Sequence, residues 1–416
     1  MKMSIGASVK DRCDPVGGGI GDLALFGARP AFEEALHVGR PNIGNRAALL
    51  VRINKLLDDR WLTNDGTYVQ EFEKRVADFT GVKHCIAMCN ATVALEVLIR
   101  ALDLKGEVIV PSFTFVATAH ALQWQQITPV FCDIDSRTHN IDPARIEGLV
   151  TPRTTGILGV HLWGRPCPID KLQAIADSNG LALLFDAAHA FGCKYRGRMI
   201  GGFGRAEVLS FHATKFINTG EGGAVVTDDD ALATRVRLMK NFGFAGYDEV
   251  ASIGTNGKMS ELSAALGLTN LESIENFTQV NRENFEVYGQ ELGNLPGLSL
   301  LRYDEKENSN YQYVVVEIEA AKAGITRDEL LAVLHAENVL ARRYFYPGVH
   351  RMEPYCSSFP GSGLGLPETE ALASRVLVLP TGTAVKTADI GKICAIIRVA
   401  IEHGAEISKA LVSARQ

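Results

Sequence analysis

From residue 84 to residue 227, short and nearly unbroken apolar runs alternate with stretches whose apolar residues return every three or four positions. The runs "CIAM", "EVIVPS", "PVFCDID", "TGILGVHLW" and "LALLFDAA" hold too few polar residues for strands with one wet face, so they predict strands buried on both sides. Between them, "TVALEVLIRAL", "ATAHALQWQ", "PARIEGLV" and "IDKLQAIADSNG" read as helices, and "AEVLSF" and "GAVVTD" add two short strands. This alternation implies an α/β fold with a mostly parallel sheet sandwiched by helices.

The rhythm differs at both ends. Leu49, Leu50, Ile53, Leu56 and Leu57 predict an amphipathic helix from Arg46 to Asp59, and "TYVQEFEKRVADFTG" a second one stopped by Gly81. The first forty residues are rich in glycine and read as a loosely structured arm. Their "GGGIGD" (17–22) follows no apolar strand, which makes it a flexible lead-in and not a phosphate loop. Near residues 292–296 the pattern changes again. "YQYVVVEIE" alternates as a strand, "TRDELLAVLHAENV" opens on a capping box (Thr326, Glu329), and "ADIGKICAIIRVAIEHGAE" is a long helix with one apolar face. The expected organisation is an N-terminal arm (1–40), a large domain (41–290) and a smaller C-terminal α/β domain (291–416).

Composition narrows the partners. A net charge of −6 argues against a nucleic acid, yet leaves room for a small phosphorylated ligand held by a few local donors. The eight cysteines form no C-x-x-C pair and read as reduced thiols; Cys85, Cys89 and His84 are too few for a metal site, so none is expected. No apolar run is long enough for a signal peptide or for the roughly 20 residues that cross a bilayer, so the expectation is a cytoplasmic chain that does not enter a membrane.

In parallel α/β sheets, ligands gather at the carboxyl ends of the strands, beside the helix N-termini that follow. Asn90 caps the helix "ATVALEVLIRAL", either as ordinary capping or as part of an anion cradle made by the amides of Ala91, Thr92 and Val93 and the Thr92 hydroxyl. Asp186 ends the run "LALLF", where a carboxylate needs either a positive ligand or a helix to cap. His189 is a ligand contact or a satisfied core histidine. In "PSFTFVATAH" the alternating Phe113 and Phe115 place one ring in the core and the other at the site, with core packing the reading for Phe113. Lys215 stands in "SFHATKFINTGEGG", before glycines at 220, 222 and 223; such a lysine is either solvated or desolvated and nucleophilic. Taken together, an anion cradle, a flat-ring platform, a buried acid and a lysine on one rim meet the needs of pyridoxal 5′-phosphate.

The chain also resembles the DegT/StrS-type sugar aminotransferases, a branch of the aspartate-aminotransferase fold (fold type I). The similarity runs from about Asn42 to about Tyr355, through "RWLTNDGTYVQEFE", "NATVALEVLIRAL", "VIVPSFTFVATAHAL", "VHLWGRPCPID", "FDAAHAFG", "SFHATK…GEGGAVVTD", "GTNGKMSELSAALG" and "RRYFYPGVH". The resemblance implies that Lys215 forms a Schiff base with the cofactor, that Asp186 pairs with its pyridine nitrogen, and that Phe115 stacks on its ring. It places His189 near the ring hydroxyl, and Ala91, Thr92 and Ser210 around the phosphate. Asn256 would reach the phosphate from a partner subunit, which makes the active site a property of a homodimer. Two positions depart from the common pattern: Ala91 where many relatives have glycine, and His189 where many have glutamine. Family members that act as sugar dehydratases carry histidine in place of the lysine, so Lys215 favours transamination. The implied reaction moves an amino group from L-glutamate to a keto group of a nucleotide-linked deoxysugar, with C4 slightly favoured over C3; a dehydratase and a non-catalytic cofactor-binding regulator are the alternatives. Lys258, Arg342, Arg343, Tyr344, Tyr346 and His350 are candidates for contacts with the sugar nucleotide, or are surface and structural residues.

Overall fold

The computed structural model describes residues 19–304, 306–361 and 365–413. Cys13 and the first two glycines of the 17–22 run lie outside them. The apolar runs form a seven-stranded sheet: β1 (His84–Met88), β2 (Glu107–Pro111), β3 (Thr128–Cys132), β4 (Thr154–Val160), β5 (Ala182–Asp186), β6 (Ala206–Ser210) and β7 (Gly223–Thr227). The strand order is β1-β7-β6-β5-β4-β2-β3, and only β7 runs antiparallel to its neighbours. Successive residues point to opposite faces, and both faces are dry. Leu183 and Phe185 of β5 join one apolar core while Leu184, between them, joins the other. Continuous apolar runs are what a sheet covered on both sides requires.

Helices α1 (Arg46–Asp59), α2 (Thr67–Thr80), α3 (Ala91–Ala101) and α4 (Val116–Trp124) start and stop where their caps dictate. The side chain of Asn45 accepts from the Ala48 amide to open α1, Asn90 does the same for Val93 in α3, and Gly81 at φ +77° ends α2. The amphipathic α2 lays Val69, Phe72 and Val76 on one face of the sheet. Among the described residues, no helix is long and apolar enough to cross a membrane.

A second core surrounds an antiparallel sheet of β8 (Leu298–Leu300), β9 (Val314–Ile318) and β10 (Val376–Leu379). The capping box forms as expected, with Thr326 and Glu329 each accepting the other's backbone amide. Two features depart from the pattern-based reading. The helix Ile274–Leu292 puts Phe277 into the first core and Phe285, Tyr288 and Leu292 into the second, so one rigid element joins them. The arm, expected to be loosely structured, is packed from residue 19 onward: Leu23, Phe32 and Leu36 are buried in the second core, and Leu36–His37 pairs in parallel with Val339–Leu340. Glycine content hid the three apolar anchors that tie it down.

Candidate active site

The carboxyl ends of β1, β2, β5 and β6 meet at one edge of the large sheet, and a cavity of about 260 Å³ opens there. Asp186 is the last residue of β5. Its carboxylate accepts from the Thr118 hydroxyl (2.9 Å) and from the Ala188 amide (3.0 Å), and only 7 % of the residue is exposed. Burial raises its pKa, while those two donors and, more weakly, Lys215 pull the other way. Among the described residues it has no ion-pair partner, so a buried carboxylate faces the cavity with neutral donors alone.

Lys215 sits in the loop that joins β6 to β7. The loop closes on itself: the Phe211 amide donates to Gly222, the Thr219 amide donates back to Phe211, and the Lys215 amide donates to His212. Glycine is needed where this loop re-enters the sheet. A Cβ on Gly223 would stand 2.5 Å from the Ala91 nitrogen, and one on Gly222 would stand 2.0 Å from the Thr219 hydroxyl oxygen. Gly223 is in register with Ser210 on one side and Met88 on the other, so its bare backbone lets the N-terminus of α3 lie across the sheet beside Ser210. The close approach suggested by these glycines is therefore to the protein's own helix terminus. Among the described residues the Lys215 amine makes one bond, a 3.4 Å contact to the Tyr313 hydroxyl, and burial lowers its pKa to about 8 against the opposing pull of Asp186.

The amides of Ala91 and Thr92 have no acceptor among the described residues, because Asn90 takes that of Val93. With the Ser210 hydroxyl nearby, they form a small cradle for an anion at the positive end of α3. Phe113 is buried against Trp163 and Phe345, whereas Phe115 is 56 % exposed and lines the cavity, which is the division that their alternation suggested. His189 is buried beside the ring of Tyr313, at 4.3 Å between centroids, and its Nδ1 accepts from the Trp163 amide (3.2 Å). Burial, helped by the charge on Lys215, pushes its pKa well below the usual imidazole value, so the ring is neutral.

Ala91, Thr92, Phe115, Asp186, His189, Ser210, Lys215 and Tyr344 thus share one cavity. Asn256, Lys258, Arg342, Arg343, Tyr346 and His350 do not line it. Asn256 and Lys258 bond to each other (2.7 Å) on a separate loop. Arg343 pairs with Asp328 and lies over the Tyr346 ring. His350 is buried, with Nδ1 2.6 Å from the Ser112 hydroxyl and Nε2 3.3 Å from Glu370, a structural latch on the end of β2. Sequence reasoning missed Thr118, Gln312, Tyr313, Phe345, His212 and Glu221, all of which except Thr118 line the cavity. A polar residue in the first turn of a helix after a strand end was the signal for Thr118; nothing local marked Tyr313. A wider groove, about 1230 Å³, runs along the helix Ile274–Leu292 and holds none of the predicted site residues.

These residues fit pyridoxal 5′-phosphate: a buried acid lacking a cation, a lysine of lowered basicity, open amides at a helix terminus, and an aromatic ring with a free face.

Comparison with known proteins agrees. The sequence profile of the DegT/DnrJ/EryC1/StrS aminotransferase family matches residues 45–398. The chain is 36% identical over 357 residues to the dTDP-4-amino-4,6-dideoxy-D-glucose transaminase of Escherichia coli, covering 84% of this chain and 95% of that one. It is 34% identical to the GDP-perosamine synthase of Caulobacter vibrioides, covering 82% and 91%. The crystal structure of DesI in the presence of its TDP-sugar product superposes with a TM-score of 0.89 at 50% identity, covering 94% of this chain and 99% of that one.

Proposed function

The chain belongs to the DegT/DnrJ/EryC1/StrS aminotransferase family, and from that premise we propose that it transfers the amino group of L-glutamate to the C4 ketone of a nucleotide-linked deoxysugar. It is a pyridoxal phosphate-dependent transaminase of fold type I. The choice of C4 is supported by relatives whose names specify 4-amino sugars, and the nucleotide-linked sugar by the TDP-sugar product in the DesI structure. One observation carries the reading: a buried, cation-free carboxylate and a lysine of lowered basicity face the same cavity.

Pyridoxal phosphate supplies an aldehyde that condenses with amines and a pyridine ring that takes up the electron pair left when carbon loses a proton. The chain's residues do the rest. Ala91, Thr92 and Ser210 anchor the phosphate, and Phe115 holds the ring plane. Asp186, kept in place by Thr118 and the Ala188 amide, holds a proton on the pyridine nitrogen, since a buried carboxylate is best satisfied by a cation. At pH 7 roughly a tenth of a lysine with a pKa of about 8 is neutral, several hundredfold more than for an ordinary lysine, so Lys215 would be the amine that holds the cofactor and the base that takes up and returns a proton at its Nζ. His189, whose Nδ1 is taken by the Trp163 amide, would have its Nε2 proton to offer to the cofactor's ring oxygen.

We assign the working form as a cytoplasmic homodimer. Leu50, Val51 and Trp61 near α1, with Phe244, Tyr247 and Ile253 on the loop that carries Asn256, expose more apolar surface than scattered surface residues need. Asn256 then reaches the partner's phosphate site, while Lys258, Arg343 and Tyr344 are the weaker candidates for sugar-nucleotide contacts.

Nucleotide-linked 3-keto and 4-keto sugars, each incubated with the cofactor-loaded protein and L-glutamate and read by mass spectrometry, test the proposal. Amination of the 4-keto substrates with release of 2-oxoglutarate is the expected result. Amination of the 3-keto set alone would reverse the regiochemistry, and loss of water without gain of nitrogen would make the protein a dehydratase.

A further inference from the structure

Beneath the cavity runs a chain of polar contacts that the proposed reaction does not use. Glu317, on β9 of the small domain, receives Arg375 on one oxygen and stands 3.0 Å from His139 Nε2 on the other. The Nδ1 of His139 accepts from the indole Nε1 of Trp163 (3.2 Å), and the backbone amide of Trp163 donates to His189 Nδ1 (3.2 Å). His139 and Trp163 are buried, and the Trp163 ring is stacked on His189 with 22° between the planes. Trp163 also holds φ +61°, a conformation that side chains larger than glycine's rarely adopt, and its carbonyl shares the Tyr303 hydroxyl proton (3.1 Å) with the nearer Tyr313 carbonyl (2.7 Å).

Every proton in this chain is forced. An indole N–H can only donate, so His139 Nδ1 is bare; the ring then carries its proton on Nε2 and gives it to Glu317. A backbone amide can only donate, so His189 Nδ1 is bare as well. Burial raises the Glu317 carboxyl, but the bonds from His139 and Arg375 outweigh it and hold the group ionised.

We infer that Glu317 and His139 are positioning residues, which hold the Trp163 indole in place and with it the backbone amide that fixes His189 as the tautomer protonated at Nε2. The small domain thereby fixes which proton the large-domain cavity can offer. The inference rests on the reading of His189 as the donor to the cofactor's ring oxygen.

Nitrogen-15 NMR of histidine-labelled protein, without and with pyridoxal phosphate, tests it, the His189 signals being identified by their loss in His189→Gln. In the cofactor-free protein both His139 and His189 are expected with bare Nδ1 and protonated Nε2; finding His189 protonated at Nδ1, or cationic, overturns the inference. Glu317→Gln can donate to His139 Nε2 as well as accept from it, so His139 should spend part of its time with a proton on Nδ1, where it repels the Trp163 indole; the displaced Trp163 amide then leaves His189 Nδ1 open to a proton, and the pH midpoint of the bound cofactor's visible absorbance should move by a few tenths of a unit or more. An unchanged His189 tautomer and an unchanged midpoint in that variant overturn it. His139→Gln can still accept the indole proton through its carbonyl and should keep His189 in the parental tautomer, whereas His139→Leu should release it; equal spectra from the two oppose the inference, and if the leucine variant does not fold, the Glu317→Gln result decides. Adding the cofactor should shift the His189 Nε2 signal. If that signal stays in place while the tautomers behave as expected, the cofactor contact is wrong and the positioning chain stands.

Discussion

The floor and the wall of the cavity are built differently. The floor is backbone geometry of the seven-stranded sheet: Asp186 and Ser210 end buried strands, Ala91 and Thr92 open a capped helix, and Lys215 projects from a loop that closes on itself. The wall is assembled from distant segments: Val38 and Gly39 of the arm, Gln312 and Tyr313 before β9, and Tyr344 and Phe345 beyond it. The floor offers charge and open amides; the wall offers mostly rings. Phe345, Trp163 and His189 stack within 6.0 Å of one another, with Tyr313 tilted against His189. Chemistry therefore belongs to the floor, and orientation and exclusion of water to the wall. Floor substitutions should cost orders of magnitude in rate, and wall substitutions small factors.

The largest effect is expected from Lys215→Ala, which on the proposed function removes both the covalent anchor and the proton carrier. Turnover should fall by at least about 10⁴-fold, and borohydride treatment followed by peptide mass spectrometry should find no cofactor attached to the chain. Asp186→Asn comes next. An asparagine oxygen can still accept from Thr118 and the Ala188 amide, so the cavity and much of the cofactor affinity survive, but the proton on the pyridine nitrogen loses its partner. Turnover should drop roughly 10³-fold with the phosphate still bound, as measured by steady-state kinetics beside equilibrium dialysis. Near-normal turnover would remove Asp186 from its role.

The same contrast explains what could be read from the sequence. The floor was legible because each of its residues breaks a local rule: an acid at the end of "LALLF", a lysine ahead of three glycines, a cap at Asn90. The strands were legible because burial on both faces leaves no polar alternation to confuse. Tyr313 directly precedes a strand, where an aromatic residue is ordinary, and only tertiary packing brings it to Lys215. Gly39 is one glycine of many, yet a Cβ there would stand 2.8 Å from the Thr214 side chain on the lysine loop. His350, in a motif that pointed to the pocket mouth, is instead spent on Ser112 and Glu370.

A smaller effect lies in the pH dependence of cofactor attachment to cofactor-free protein. The attacking form of Lys215 is the neutral amine, and burial has lowered its pKa to about 8, so the rate should rise with pH and level off above about 8. Asp186 is the group that raises this pKa, so in Asp186→Asn the midpoint should fall below that of the parent. Stopped-flow absorbance across a pH series gives both midpoints. A parental midpoint near the ordinary lysine value of 10.5 would mean that the amine is wet and the floor is not the dry site described.

The smallest effect is the one that tests the division itself. The Tyr313 hydroxyl touches the Lys215 amine at 3.4 Å, the outer limit of a hydrogen bond, and burial raises the phenol's pKa so far that it stays neutral. A bond at that limiting distance is worth about 0.5 kcal/mol, the low end of the usual range, or roughly a factor of two to three. Tyr313→Phe keeps the ring against His189 and should lower kcat only by that factor, with KM for L-glutamate nearly unchanged. Tyr313→Ala also removes the ring, leaves His189 without that neighbour and opens the cavity to water, so its loss should be about tenfold or more. If phenylalanine costs as much as Asp186→Asn, the phenol moves a proton, and Tyr313 belongs with the floor despite standing beside the smaller sheet.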